Sequence, residues 1–273
     1  MMEIYIRIIF FILGLCVGSF LNMAIFRVAK NYKLISKKQK TISKQITNNK
    51  LQITNKNRSY CDYCGRQLSW YENVPVLSWI VQKGQTRCCY NPLPWEYPIV
   101  EIIMGILFLL NFQFSIFNFQ SILNYLIISL LMFSLVFDLK YMILPDRTNL
   151  MLVAGALVLW YARNYGDWSY IYSGLGSLLF FFILNRIKIR GSEAMGMGDV
   201  KYALFMGLFL GWPDIVVAIY FAFVVGAVVS IILLIIKKVK KENPIPFGPF
   251  LILGTVVAKI WGESIIKLIY NFQ

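Results

Sequence analysis

A chain of 273 residues with a net charge of +14, 58% apolar residues and a mean hydropathy of +0.63 is far more apolar than an ordinary soluble domain. It contains no histidine, which excludes Ser-His-Asp and Cys-His catalysis, HExxH zinc hydrolysis and every His-ligated metal. Acidic residues are few, and Asp138, Asp146, Glu193 and Asp199 fall in two short segments beside apolar runs. Chemistry by a pair of carboxylates is therefore the leading option.

Apolar runs of roughly 20 residues, enough to cross about 30 Å of hydrocarbon, mark an all-α polytopic membrane protein. About eight transmembrane helices are expected, over 4–26, 97–116, 121–137, 149–162, 170–187, 200–210, 215–236 and 247–270, with a Cys-containing cytoplasmic loop domain between the first two. The expected division is a first helix over 1–27, the loop domain over 28–96 and a seven-helix membrane domain over 97–273. The first run is too long for a signal peptide and lacks an Ala-x-Ala cleavage site, while Gly14, Gly18, Ser19 and Asn22 suit close helix packing. It reads as a retained helix, and Cys16 on it reads as a packing residue.

The loop divides in two. Residues 30–58 are rich in Lys, Asn, Gln, Ser and Thr, with the near-repeat Lys44-Gln-Ile-Thr-Asn-Asn and Leu51-Gln-Ile-Thr-Asn-Lys; such a tract has little to bury and reads as a mobile linker. Residues 59–96 hold Cys61-Asp-Tyr-Cys64 and, further on, Cys88-Cys89. A Cys-x-x-Cys with a distant second pair suits a tetrahedral zinc knuckle, and a cytosolic loop is kept too reducing for a structural disulfide. The second pair is adjacent, however, and neighbouring cysteines do not easily chelate one ion, so the spacing leaves zinc and reduced thiols as alternatives.

Asp138 ends the apolar run that begins at Ser129, and Asp199 lies in Gly196-Met-Gly-Asp-Val-Lys201 just before another. Each is expected where a membrane helix meets water. Carboxylates there are costly and commonly functional, although either alone could be a solvated helix end. Two of them at matching depths can divide the work of general acid and general base. The helix over 200–210 is short for a span and has room to start earlier.

Basic residues set the orientation. The segment 27–96 holds about a dozen Lys and Arg against three acids, and further positive clusters fall at Lys140/Arg147, Arg186/Lys188/Arg190 and Lys237 to Lys241. The alternate loops carry almost no net charge. The positive-inside rule makes the first set cytoplasmic, puts both aspartates at the cytoplasmic face and leaves both chain ends outside. The net charge then reflects topology and a bilayer of anionic lipid, with no nucleic acid required.

Taken in order, Gly14-Leu-Cys-Val-Gly-Ser-Phe-Leu-Asn22 with Arg27, Cys61-x-x-Cys64, Glu72-Asn-Val-Pro-Val-Leu-Ser-Trp79, Trp95-Glu-Tyr-Pro-Ile-Val-Glu101, Asp138 with Ile143-Leu-Pro-Asp146, Gly196-Met-Gly-Asp-Val-Lys201 and Pro246-Phe-Gly-Pro-Phe250 cover nearly the whole chain. This ordered set resembles the bacterial type IV prepilin peptidases, the bifunctional leader peptidase/N-methyltransferase family of GxGD-type aspartyl proteases. The resemblance implies Asp138 and Asp199 as the catalytic pair, with Gly196, Gly198 and Lys201 as supporting motif residues. Asp146 is accessory at most, and a turn or helix-cap role fits it better. Two adjacent carboxylates do not both ionise easily, so the pair would share a proton; the ionised member would activate water and the protonated one would hydrogen-bond the scissile carbonyl. The implied substrate is a prepilin or pseudopilin with a short basic leader, cut at the cytoplasmic face ahead of an apolar helix. The resemblance also implies N-methylation of the new amino terminus with S-adenosylmethionine, although no nucleotide-type Gly-rich fingerprint occurs in the loop. Thr86 stands where the family has the first cysteine of its second pair, leaving Cys61, Cys64 and Cys89 as implied zinc ligands with Cys88 as a substitute fourth. A proton-coupled secondary transporter and a catalytically idle scaffold are the competing readings; the broken inverted repeats of a transporter are not evident here.

Overall fold

The computed structural model describes residues 2–34, 59–61, 63–112, 118–164, 166–189, 192–193, 195–236 and 245–270. Most of the polar linker, from residue 35 to 58, and the Lys237 to Lys241 cluster lie outside them. The chain divides into two compact units, Met1–Phe117 and Asn118–Gln273.

In the first unit, α1 (Met2–Asn31) runs past the expected end of its apolar stretch because nothing after Phe26 breaks a helix. It stops where Lys33 turns left-handed and the Leu34 N–H closes onto the Ala29 carbonyl at 3.0 Å. A 3₁₀ turn (Trp70–Asn73), the short helix α2 (Leu77–Val81) and α3 (Glu96–Leu110) follow. Helices α1 and α3 lie against each other at the small residues singled out from sequence: a methyl group on Gly18 would sit 2.7 Å from the Glu101 Cα. This contact admits only hydrogen, which is how membrane helices gain packing without a hydrophobic driving force. Asn22 reinforces it by donating to the Tyr97 carbonyl at 3.1 Å.

The second unit contains α4 (Phe119–Tyr141), α5 (Asp146–Asn164), α6 (Ser169–Arg186), a two-residue antiparallel ribbon of β1 (Lys188–Ile189) and β2 (Ser192–Glu193), then α7 (Met197–Leu210), α8 (Asp214–Ile235) and α9 (Gly248–Tyr270). Among the described residues the regular structure is thus helical apart from that ribbon and two isolated bridges in the loop of the first unit. Helix α7 is its centre. Only 14 residues long, and so about 21 Å, it is flanked by α5, α6, α8 and α9. Tyr202, Phe205 and Met206 on α7 are fully buried. The Tyr202 hydroxyl pairs with Thr255 Oγ1 at 3.0 Å, and Ser177 Oγ donates to the Ala203 carbonyl at 2.8 Å. Buried among other helices, α7 meets protein where longer helices meet lipid, which accounts for its short apolar run.

Four helical segments, Glu3–Asn31, Phe119–Tyr141, Asp214–Ile235 and Gly248–Leu268, are long and apolar enough to cross a membrane on their own. Large apolar side chains such as Leu150, Ile183 and Ile231 are exposed on the helices. A bilayer would cover such surface; water would not tolerate it over so many helices. This is a multi-pass membrane protein.

Candidate active site

Asp138 does not end its helix. Helix α4 continues three residues to Tyr141 and closes at a left-handed Met142, whose N–H bonds the Asp138 carbonyl at 2.8 Å. The end of the apolar run at Phe137 is therefore not the end of the helix, and the carboxyl is buried, 4% exposed. The Gly248 N–H lies near this carboxyl, but no well-formed hydrogen bond reaches its Oδ2 among the described residues. A buried carboxylate oxygen left free is expensive and needs a reason beyond packing.

Asp199 sits in the first turn of α7, which begins at Met197, and is half-buried. Its approach to Asp138 follows from three contacts within the second unit. Leu144, in the Ile143-Leu-Pro-Asp146 turn, is the near neighbour of Gly198: a methyl on that glycine would sit 3.1 Å from the Leu144 Cβ. The same leucine lies against Gly248 at the start of α9, and a methyl on Gly248 would sit 2.5 Å from Asp138 Oδ2. The two carboxyl groups are close enough for their charges to interact.

Asp146 opens α5, where a short gap before the helix was expected from sequence. Its side chain is exposed and pairs with Lys201 Nζ at 2.7 Å. An exposed pair of this kind is worth about 0–1 kcal/mol. Lys201 is thereby held at the rim, directed at Asp146. Gly196 lies beside the carboxyl of Asp199, 3.5 Å from a methyl built on it to Oδ2.

Two residues of this site escaped the sequence reading. Asn149, 2% exposed, donates from Nδ2 to the Gly198 carbonyl at 3.1 Å and so ties α5 to the peptide preceding Asp199. Gly248 lets the α9 backbone approach Asp138. The Pro246-Phe-Gly-Pro-Phe250 motif carried the signal for the second; nothing in the pattern distinguished Asn149 from an ordinary first-turn asparagine.

In the first unit the four loop cysteines converge, with all four Sγ atoms within 4.8 Å of one another. Two similar turns build the cluster. A Tyr60–Gln67 bridge encloses a turn in which the Cys61 N–H bonds the Arg66 carbonyl and the Gly65 N–H bonds the Cys61 carbonyl. A Gln85–Pro92 bridge encloses the same arrangement, with Thr86 N–H to Asn91 and Tyr90 N–H to Thr86. Thr86 thus occupies the place of Cys61, and Cys89 that of Cys64. The tightness of the second turn also brings Cys88 inward, its Sγ 3.0 Å from Cys64 and 3.8 Å from Cys89, while Cys61 and Cys89 are 3.7 Å apart. Adjacency, which argued against joint ligation, is overcome by this turn.

Four thiolates at about 2.3 Å from one zinc ion would be about 3.8 Å apart, so the donor set fits a tetrahedral metal site. Burial raises the Cys61 and Cys88 thiols above their ordinary range. At Cys89 burial acts in the same direction but is outweighed by hydrogen bonds from Thr86, Asn91 and Cys61, which bring the thiol down to about 6. Cys16 is exposed on α1, contrary to the expected packing role, and is no part of the cluster. Elsewhere in this unit Glu101, 7% exposed, accepts the Val76 N–H on Oε2 at 2.7 Å, and Glu72 is bound by Arg66 and the Ser69 N–H. Both were visible in sequence only as motif letters.

Comparison with known proteins covers both units. Residues 12–114 match the Bacterial Peptidase A24 N-terminal domain, and residues 125–231 match the Type IV leader peptidase family. The chain is 31% identical to a prepilin leader peptidase/N-methyltransferase of Aeromonas hydrophila over 77% of this chain and 73% of that protein. It is 29% identical to proteins of the same name from Bacillus subtilis, over 95% of this chain and 96% of the other, and from Pseudomonas aeruginosa, over 96% and 92%. No solved structure matches.

Proposed function

The chain belongs to the type IV leader peptidase family of A24 aspartic peptidases, and from that membership we propose that Asp138 and Asp199 are the catalytic pair with which it removes prepilin leaders. It is a prepilin leader peptidase/N-methyltransferase. The observation that carries the residue assignment is the convergence of two carboxyl groups from helices distant in sequence, one of them buried with a free oxygen.

Of the two carboxyls, one holds a proton and the other is ionised. The ionised carboxylate takes a proton from water as its oxygen attacks the scissile carbonyl carbon, while the protonated carboxyl donates to the carbonyl oxygen. Collapse of the tetrahedral species breaks the C–N bond, and the leaving amine takes up a proton. Pilin is thereby released from its leader with a free amino terminus, to which a methyl group is then transferred with S-adenosylmethionine as donor. The substrates are prepilins or pseudopilins whose basic leader lies at the cytoplasmic face, where both aspartates stand if eight helices cross the bilayer with both ends outside. By function the chain divides into a first helix over 1–27, a loop domain over 28–96 and a peptidase segment over 97–273. Cys61, Cys64, Cys88 and Cys89 would hold one zinc ion, which when bound supplies the loop with structure and no chemistry of its own.

The test is mass spectrometry of a prepilin incubated with membranes holding this protein or Asp199→Asn. Loss of the basic leader with the first and an intact prepilin with the second is expected, and separates the peptidase from a transporter or an idle scaffold. Equal cleavage by both would overturn the assignment.

A further inference from the structure

We propose that α2 is an interfacial helix, its apolar face inserted into the phospholipid leaflet on the loop side of the membrane, so that the bilayer itself seats the Cys-containing loop. Three of the five residues of α2, Leu77, Ile80 and Val81, are 62%, 57% and 64% exposed. They fall at positions i, i+3 and i+4, so they form one face. The opposite side is occupied: the Trp79 ring lies 4.1 Å from that of Trp95 and against Gly84. The exposed face is thus a built feature of a folded segment, and burying its three apolar side chains in water-free surroundings is favourable.

What covers it follows from depth. The Val76 N–H, immediately before α2, is bound to Glu101, and Glu101 packs on α1, its Cα against Gly18 and its carboxyl beside Ser19 and Asn22. Ser19 and Asn22 lie within the membrane-crossing segment Glu3–Asn31. They precede the end of its apolar run at Phe26 by seven and four residues, which is about 10 and 6 Å at 1.5 Å per residue. The start of α2 is therefore pinned inside the apolar zone by the depth at which an interfacial helix lies, about 5–10 Å. The surroundings suit a headgroup layer. Trp95, 69% exposed, immediately precedes α3, and Trp70 is 82% exposed, as aromatic residues are at a membrane surface. Arg87, over the ring of Tyr71, and exposed Lys83 offer cations to lipid phosphates.

The proposal rests on α1 crossing the membrane, and the experiment separates failure of the two. The photoreactive residue benzoylphenylalanine is placed singly at Leu77, Ile80 and Val81 of the full chain in phospholipid vesicles, and at Leu13, exposed on α1, as a reference. Irradiation is followed by mass spectrometry of the adducts, with and without added prepilin. Phospholipid adducts at the three α2 positions, in yield comparable with Leu13, are expected. Adducts to another segment of this chain, adducts to prepilin, or none, while Leu13 captures lipid, would overturn the interfacial helix. Absence of lipid at Leu13 as well would overturn the membrane reading beneath it.

Discussion

At the scale of single residues, the site is defined by what is close to Asp138 and Asp199 without being charged. The 2.5 Å approach of a methyl on Gly248 to Asp138 Oδ2 leaves no room for a side chain. Gly248→Ala is expected to displace the carboxyl and lower cleavage by about ten-fold or more while the protein still inserts, since a misplacement of about 1 Å can cost 10²-fold. Asn149 acts through the backbone. Asn149→Leu removes the side-chain hydrogen bond to the Gly198 carbonyl, which still accepts within its own helix, so the cost is about 0.5–1.5 kcal/mol. Because Asn149 is buried and acts through the backbone before Asp199, its loss is expected to lower kcat for prepilin cleavage with KM little changed; a raised KM at unchanged kcat would refute the positioning role. The presence of both aspartates in adjoining motifs was legible in the sequence. Their depth was not, because an apolar run ends where polarity begins and a helix ends where the backbone can turn, here three residues later at Met142.

At the scale of elements, two contacts decide the architecture. Helices α6 and α7 touch at Gly207, where a methyl would strike the Ser173 carbonyl. Gly207→Val therefore forces the helices apart at a cost of about 1–3 kcal/mol, and is expected to lower the thermal midpoint of the purified protein. The second contact is the pair of knuckle turns. Since Thr86 holds the place of Cys61 and Cys88 supplies the fourth sulfur, Cys88→Ser is expected to lower zinc content from about one per chain, measured by elemental analysis, and Thr86→Cys in that background to restore it. A clean wild-type protein with far less than one zinc would remove the cysteines from the site. Stripping the metal should impair methyl transfer before cleavage, because the loop and the aspartates belong to different units. The sequence pointed to about eight apolar helices, of which four are long and apolar enough to cross a membrane on their own, and to the Cys61 pair. It did not show that a tight turn gathers Cys88 and Cys89 around one point, since a turn's geometry is not contained in its spacing.

At the scale of the whole molecule, the proposed orientation rests on the distribution of positive charge. A cysteine at Asn118, at the start of α4, is expected to react with an impermeant thiol reagent in intact cells, and one at Lys188, in the ribbon after α6, to be shielded, in a background without native cysteines. The reverse pattern would invert the topology and place the aspartates on the wrong face for leader removal. Composition made the membrane class readable, whereas α7 reads as too short to span because its buried position is a property of its neighbours. The assignment of cleavage to Asp138 and Asp199 is tested by the single-turnover rate of prepilin cleavage by purified Asp138→Asn, Asp199→Asn and Asp146→Asn in vesicles, each with an unfolding curve like that of the wild type. Losses of about 10² or more are expected for the first two, the scale of a lost acid or base, and appreciable activity for the third. A rate near that of the wild type for either Asp138→Asn or Asp199→Asn would contradict it.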